Sequence, residues 1–300
     1  MRGGRRCKEQ LFSKRLMKNK CVIHVARTAG FCFGVRRAIR MAEELAETGG
    51  KIHMLGDLVH NQDVIARLEK AGITKIARLG NGRGKILLIR AHGAGKRLMI
   101  QARRRGYKIV DATCPMVHAI HKKVREMDRK GYRIIVLGNR RHEEVQGIVG
   151  QIAGKTLVID SIENIPWPQI KKIRKAAIVV QSTQNMDHIL PIVAALRKKN
   201  DSVVFFNTIC RPTRMKQAEM KTLPRLNDVV IVIGARFSAN TRRLFEISRP
   251  LNPRSYWIES AAQLKQAWFK NAKSIGITAG ASTPESATRS VIERIRRLAG

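Results

Sequence analysis

The chain has 300 residues, of which 44% are hydrophobic, and a net charge of +37 from 59 Lys and Arg against 22 Asp and Glu. No stretch reaches the roughly 18 consecutive apolar residues of a membrane span, and the N-terminus has no apolar signal core, so we predict a cytoplasmic protein. Five cysteines, an odd number, argue against a disulfide framework and leave thiols available as metal ligands.

The first twenty residues are predicted to be a basic extension without regular structure. They contain eight Lys or Arg and a single acidic residue. A transit peptide is also rich in Arg and poor in acids. If residues 1–20 act as a transit peptide, the expected location changes to an organellar stroma.

From residue 21 onward, short apolar strands alternate with helical stretches. The strand VIHVA precedes Cys32, and a helix over residues 35–47 follows it. Further helices are predicted over residues 96–105, 116–130 and 186–199, and the segment IENIPWPQIKK is predicted to be an irregular connector because of its prolines. Strands that are apolar throughout indicate parallel sheets covered on both faces.

Three landmarks recur along the chain at fixed spacing. Cys32, Cys114 and Cys210 are each followed 24 residues later by a glycine at the end of a strand, and 28 residues later by a polar side chain, His60, His142 or Ser238. A third strand in each copy ends at a small or polar turn: Ala91-His92-Gly93, Gln181-Ser182-Thr183 and Gly280-Ala281-Ser282. A regular internal spacing of this kind indicates structural repeats.

We therefore predict three small α/β domains related by pseudo-threefold symmetry, over residues 21–106, 107–199 and 200–300. Ligands of open α/β sheets bind outside the carboxyl ends of the strands. The landmark loops lie at that edge in each repeat, so they are expected to form a single site.

The three cysteines favour a metal centre. Three thiolates on an iron–sulfur cluster leave one iron without a protein ligand, and each cysteine comes just before a predicted helix, whose N-terminus favours thiolate. Zinc held by three cysteines and a histidine is an alternative. Cys7 and Cys21 lie outside this spacing and are interpreted as buried cysteines that bind no metal.

Polar side chains in the same loops suit a phosphate or diphosphate group. Imidazoles, hydroxyls and an amide can donate hydrogen bonds to such an anion. The candidates are His60, His92, His142, Ser238, Asn240 and Ser282.

Glu144 is the candidate proton donor. A carboxyl beside a cluster and a bound anion should have a raised pKa; the alternative is a surface glutamate paired with Arg140 or Arg141. Ser182 and Thr183 are candidates to relay the proton, although their hydroxyls can instead bond to the local turn.

The motifs, taken together, resemble the 4-hydroxy-3-methylbut-2-enyl diphosphate reductase family, also called IspH or LytB. The similar stretches occur in the family's order and cover about residues 22 to 298: GFCFGVRRAI, LVHNQDVI, RAHGAGK, VDATCPMV, HEEVQGIVGQ, QSTQN, TIC, SANT and TAGAS.

This resemblance implies a trefoil-like arrangement of three α/β domains around a [4Fe-4S] cluster ligated by Cys32, Cys114 and Cys210. The implied reaction is the last step of the non-mevalonate isoprenoid pathway, in which an allylic hydroxyl leaves as water. Glu144 would supply protons, with Ser182 where the family usually has threonine, and the six polar candidates would bind the diphosphate. A ferredoxin or flavodoxin would donate electrons.

Several positions depart from the family pattern, among them Asn207 in place of a frequent aspartate and Pro212 in place of a frequent alanine. Glu143 stands where proline is common, so two adjacent carboxyls compete for the role of proton donor. Ala239 stands where serine is common, which would cost one contact to the diphosphate.

Two rival hypotheses come from other classes. The strong positive charge suggests a nucleic-acid-binding protein, or at least non-specific adsorption to nucleic acid. However, the sequence has no aromatic platform, helix-turn-helix signature or zinc-finger spacing. The second rival is a zinc hydrolase that uses the same cysteines, and it predicts a colourless protein.

Overall fold

The computed structural model describes residues 12–16 and 21–299. Its strands are β1 (Phe12–Leu16), β2 (Val22–Ala26), β3 (Lys51–Leu55), β4 (Ile73–Ile76), β5 (Lys85–Ile89), β6 (Lys108–Asp111), β7 (Arg133–Leu137), β8 (Leu157–Ile159), β9 (Ala176–Val180), β10 (Val203–Phe205), β11 (Val229–Ile233), β12 (Ser255–Ile258) and β13 (Ser274–Ala279).

Its α-helices alternate with these strands along the chain. They are α1 (Phe33–Ala46), α2 (Gln62–Lys70), α3 (Lys96–Arg104), α4 (Pro115–Arg129), α5 (Glu143–Val149), α6 (Trp167–Ile170), α7 (Met186–Arg197), α8 (Arg211–Met220), α9 (Ala239–Leu251) and α10 (Glu285–Ala299). The predicted helices over residues 35–47, 96–105, 116–130 and 186–199 are confirmed to within two residues at each end.

The strands form three sheets. Their orders are β4-β3-β5-β6, β10-β9-β7-β8 and β1-β2-β13-β11-β12. Every neighbouring pair is parallel except β1 and β2. The prediction of an α/β fold with mainly parallel sheets is confirmed.

The central strands are apolar because both faces of their sheets are covered. All five residues of β9 are buried. Ile178 and Val180 pack into one apolar cluster, whereas Ala177 and Val179 on the opposite face pack into another. A strand buried on both faces gains from apolar side chains at every position, which explains the uninterrupted run AAIVV.

The chain forms two compact units. Residues Gly34–Cys210 make one unit, and the residues up to Phe33 together with those from Arg211 onward make the other. The sheets built on β3 and on β7 lie in the first unit, and the sheet built on β11 lies in the second.

The strand that leads to each cysteine pairs with a strand that ends at one of the third-landmark turns. β6 pairs with β5, β10 pairs with β9, and β2 pairs with β13. The predicted boundaries at residues 106/107 and 199/200 therefore separate strands that are neighbours in one sheet. The division into three domains remains a prediction.

Two segments differ from the sequence-based expectation. Phe12–Leu16, placed in the extension without regular structure, pairs antiparallel with β2 and so covers backbone groups that would otherwise lie at a sheet edge; the rest of residues 1–20 is outside the described residues. The connector around Pro166 contains α6, because proline is tolerated in a helix's first turn.

None of the helices in residues 21–299 is both long enough and apolar enough to cross a membrane.

Candidate active site

Each of the three regularly spaced cysteines lies directly before a helix. Cys32 precedes α1, Cys114 is the N-terminal cap of α4, and Cys210 precedes α8. All three are half-buried thiols and none forms a disulfide, whereas Cys21 is fully buried. Three half-buried thiols, each at a helix N-terminus, are a donor set that suits a thiolate-bound metal or cluster.

The backbone holds the three cysteines in the same way. Each cysteine N–H donates to a carbonyl in one of the turns that the sequence identifies as the third landmark: Cys114 to Ala91 at 2.9 Å, Cys210 to Ser182 at 3.1 Å and Cys32 to Ala281 at 3.1 Å. These bonds connect each cysteine loop to the end of the neighbouring parallel strand. The threefold spacing in the sequence thus corresponds to a threefold repetition of one backbone contact.

The Cys114 loop needs a glycine in α1. A Cβ atom at Gly34 would lie 2.4 Å from the Cys114 sulfur, so a larger residue there would displace the thiol. Arg37 of the same helix donates to the carbonyl oxygen of Thr113 at 3.2 Å, and Asp111 accepts from the Thr113 N–H at 3.0 Å. Glycine and two charged side chains therefore fix the position of this thiol.

The loop before Cys32 is held by two buried charges on α8 that the sequence analysis missed. Lys216 is 2% exposed and donates to the carbonyls of Gly30 at 2.9 Å and Ala279 at 3.1 Å. Glu219 accepts from the N–H groups of Arg27 and Thr28, both at 3.1 Å. A Lys and a Glu three residues apart on a helix usually form a surface pair, and nothing in the sequence distinguishes this one.

The structure places His60, His92 and His142 next to one another. The rings of His60 and His92 are stacked with centroids 4.3 Å apart, and each meets the His142 ring edge-on at 5.5 Å. His60 lies just before α2 and His92 follows β5. His142 caps α5, where its Nδ1 accepts from the Glu144 N–H at 3.1 Å.

Burial keeps these imidazoles neutral. It lowers the pKa of His60 to about 4, with the neighbouring His92 adding to the effect. Burial and then Arg90 lower the pKa of His92 to about 4, and burial followed by the two other imidazoles lowers that of His142 to about 3. At neutral pH each ring therefore offers one N–H donor and one nitrogen lone pair.

Glu143 and Glu144 are adjacent at the start of α5 but have different partners. One oxygen of Glu143 contacts the Arg90 guanidinium. The other, Oε2, lies 3.4 Å from His92 Nδ1. Glu143 thus belongs to the histidine cluster, and Arg90 is a member of that cluster which the sequence analysis missed.

Glu144 is buried against Ser182. It is 1% exposed, and its two oxygens accept from the Ser182 N–H at 2.6 Å and from the Ser182 hydroxyl at 2.8 Å. Burial raises the pKa of Glu144, and the two bonds from Ser182 oppose that shift. The alternative of a surface glutamate paired with Arg140 or Arg141 is wrong, because the turn after β9 encloses this carboxyl.

Ser182 connects the carboxyl to a cysteine loop. Its N–H and hydroxyl bind Glu144, while its carbonyl oxygen accepts from the Cys210 N–H. The Thr183 hydroxyl instead accepts from the Gln181 side chain at 3.0 Å. The structure therefore brings Ser182 to Glu144, and a relay through Thr183 stays a prediction.

The remaining three candidates lie in the second unit and are all buried. Ser238 caps α9, and its hydroxyl accepts from the N–H of Thr241 at 3.3 Å. A Cβ at Gly280 would meet the Thr241 hydroxyl at 2.1 Å, so this glycine lets the turn that carries Ser282 approach α9. Asn240 is 4% exposed, and neither end of its amide has a hydrogen-bond partner among the described residues.

An unpartnered buried amide is costly, which makes Asn240 a strong candidate for a ligand contact. Its donor and acceptor are satisfied when a bound group supplies the missing partners. Ala239 lies beside it at the first position of α9.

Comparison with known proteins finds similarity to one family along nearly the whole chain. The family model described as "LytB protein" matches residues 23–296. The chain is 41% identical over 276 residues to the 4-hydroxy-3-methylbut-2-enyl diphosphate reductase of Geobacter metallireducens, which covers 92% of this chain and 97% of that protein. The protein of the same name from Aquifex aeolicus is 39% identical over 280 residues, covering 92% and 96% of the two chains.

Solved structures agree. The structure described as "(E)-4-Hydroxy-3-methyl-but-2-enyl Diphosphate Reductase, the Terminal Enzyme of the Non-Mevalonate Pathway" superposes with a TM-score of 0.69 at 39% identity, over 92% of this chain and 99% of that one. The E-1-hydroxy-2-methyl-but-2-enyl-4-diphosphate reductase from Plasmodium falciparum superposes with a TM-score of 0.83 at 28% identity, over 90% and 86% of the two chains. The chain belongs to the LytB protein family.

Proposed function

We propose that this chain is a reductase that converts (E)-4-hydroxy-3-methylbut-2-enyl diphosphate to isopentenyl and dimethylallyl diphosphate, the last step of the non-mevalonate isoprenoid pathway. Two electrons and two protons enter, the allylic C–O bond breaks, a C–H bond forms, and the hydroxyl leaves as water. The observation that carries the proposal is the family match over residues 23–296, a range that contains every cysteine and polar side chain assigned to the site.

The cofactor would be a [4Fe-4S] cluster held by Cys32, Cys114 and Cys210. Three half-buried thiols, each placed before a helix and each with its backbone N–H anchored to a landmark turn, fit such a group. When bound, the cluster supplies electrons and one iron atom without a protein ligand.

Glu144 holds the proton that the reaction consumes. Because burial raises its pKa, the carboxyl retains a proton at higher pH than an exposed glutamate does. The Ser182 hydroxyl, 2.8 Å from the carboxyl oxygen, keeps the acid in one orientation. Glu143 is the weaker candidate for this role because its carboxyl contacts Arg90.

The diphosphate would be bound by neutral imidazoles, hydroxyls and an amide rather than by a cluster of cations. The proposed donors are the imidazole N–H groups of His60, His92 and His142, the hydroxyls of Ser238 and Ser282, and the amide of Asn240. The unpartnered amide of Asn240 supports the assignment. An external ferredoxin or flavodoxin would supply the electrons, and the cytoplasmic location remains our prediction.

The net charge of +37 also supports non-specific adsorption to nucleic acid. One groove at the amino ends of the strands in the β7 sheet is lined by Arg133, Lys155, Lys172, Arg174 and Lys175, with Asp128 as its acidic side chain. Elution from heparin at moderate salt would identify adsorption of this kind. Retention well above physiological salt would instead favour the rival nucleic-acid-binding hypothesis.

The cofactor is tested by the visible spectrum and the iron and sulfide content of anaerobically purified protein. We expect a brown protein with a broad band near roughly 400 nm, and loss of both colour and iron in Cys114→Ser. Cys21→Ser is the matched control. Cys21 is buried and lies outside the regular cysteine spacing, so this variant should keep both the colour and the iron. A colourless, iron-free wild type after anaerobic reconstitution would refute the cluster and leave the zinc hydrolase as the better hypothesis.

A further inference from the structure

Two buried ligand atoms face each other in the histidine cluster without a hydrogen bond between them. Glu143 Oε2 and His92 Nδ1 are both buried and lie 3.4 Å apart, and neither has a hydrogen-bond partner among the described residues. A buried hydrogen-bond acceptor that has no donor is energetically unfavourable. A third species placed between the two atoms would satisfy both.

The spacing of these atoms suits a metal ion. Bonds of 2.0–2.1 Å from zinc to histidine nitrogen or carboxylate oxygen place neighbouring ligands of a tetrahedron about 3.3–3.4 Å apart. The observed 3.4 Å between Glu143 Oε2 and His92 Nδ1 agrees with that edge. A ring nitrogen of His60 completes a set of three ligand atoms that all lie within 4.8 Å of one another.

The chemistry of the three donors is also that of a zinc site. Two imidazoles and one carboxylate are a common set for catalytic zinc, which keeps a fourth position open. Arg90 contacts the other oxygen of Glu143. It orients the carboxylate so that Oε2 faces His92, and its positive charge moderates the affinity for a cation.

We propose that His60, His92 and Glu143 form a second metal site, for a divalent cation of the zinc type, separate from the three cysteines. The site exists in this chain because a glutamate occupies position 143. Binding of the metal itself does not depend on the reductase reaction. The further consequence, that a diphosphate oxygen can take the open fourth position, rests on the proposed function.

The test uses anaerobically purified, iron-loaded protein and zinc alone. Wild type, Glu143→Gln and Glu163→Gln are compared, Glu163 being an exposed glutamate of the same unit. We expect wild type and Glu163→Gln to retain one zinc ion per chain after desalting. Glu143→Gln should bind zinc roughly tenfold or more weakly, since even outer contacts of metal ligands change affinity by that order.

X-ray absorption at the zinc edge identifies the ligands. Only nitrogen and oxygen neighbours are expected, with the iron content unchanged by zinc. Sulfur neighbours would show that zinc has replaced iron at the cysteines, and either this result or equal zinc binding by wild type and Glu143→Gln would overturn the proposal.

A second variant covers the case in which Glu143→Gln loses iron or folds poorly. His60→Asn removes a different ligand and should weaken zinc binding to a similar degree, and unchanged zinc binding there would also overturn the proposal. The zinc-binding measurement uses no substrate, so its result does not depend on whether the reductase assay succeeds. A working reductase that binds no zinc would refute the metal site alone.

Discussion

Glu143 and Glu144 are neighbours in sequence, yet they belong to two different regions of the site. The Glu144 region consists of a fully buried carboxyl and one serine. The Glu143 region consists of a partly exposed carboxyl, Arg90 and the three histidines. Successive residues at a helix N-terminus point in different directions. The Glu144 side chain therefore enters the protein interior, whereas the Glu143 side chain stays beside the Arg90 guanidinium.

The difference shows how the surroundings give two chemically identical carboxyl groups different properties. Burial favours the protonated form of Glu144, as a proton donor requires. The guanidinium of Arg90 instead contacts one oxygen of Glu143, and the other oxygen faces His92.

Removing the buried acid should have the largest effect. Glu144→Gln keeps the size and part of the hydrogen bonding but cannot deliver a proton, and we expect kcat to fall by about 10²- to 10⁴-fold, the range typical of general acid catalysis. Turnover at matched iron content measures the effect. Activity within a few-fold of wild type would assign proton delivery to another group.

Changing Ser182 should shift the pH dependence of turnover. The bonds from Ser182 stabilise the charged form of Glu144 and lower its raised pKa, so Ser182→Ala should raise that pKa further. If protonated Glu144 is required, activity falls as pH rises through its pKa, and the fall moves to higher pH in Ser182→Ala. Ser182→Thr retains the hydroxyl and serves as the control; an identical shift in both variants would contradict this explanation.

Changing Glu143 should affect binding more than chemistry. In zinc-free buffer, Glu143→Gln removes a negative charge beside the proposed diphosphate ligands and releases Arg90. We expect KM for the diphosphate to fall by roughly two- to fivefold, the magnitude of a partly exposed charge interaction. A loss of kcat as large as that of Glu144→Gln would show that the two carboxyls share one role.

The smallest effect concerns stability. Because the pKa of Glu144 is raised in the folded protein, its contribution is fully present at low pH, where the acid is protonated in both states, and is lost as pH rises through the folded-state pKa. Glu144→Gln, which stays neutral, should therefore gain in melting temperature relative to wild type as pH increases. The opposite trend would show that Ser182 stabilises the ionised form more than burial disfavours it.

Much of this architecture could be predicted from the sequence. Uninterrupted apolar strands indicated parallel sheets, and the spacing of 24 and 28 residues located the cysteine loops and the loops that follow them. The landmark loops also contain His60, His92 and His142, whose rings the structure places together. His60 and His92 follow neighbouring strands of one sheet, whereas His142 follows β7 of another sheet.

Other features depended on long-range packing and were missed. Lys216 and Glu219 have the composition of a surface ion pair, and only their contacts with the loop before Cys32 show that they are buried. Arg90 precedes a predicted ligand, but its partner Glu143 is 53 residues away in sequence. The sequence also did not separate the environments of Glu143 and Glu144, because the enclosing turn comes from a different strand.

The most direct test of the proposed function is anaerobic turnover of (E)-4-hydroxy-3-methylbut-2-enyl diphosphate with a chemically reduced electron donor. Wild type and Glu144→Gln are compared at equal iron and sulfide content. We expect wild type to form isopentenyl and dimethylallyl diphosphate, while the variant retains its cluster and forms almost none. An iron-loaded wild type that forms neither product would contradict the proposed function.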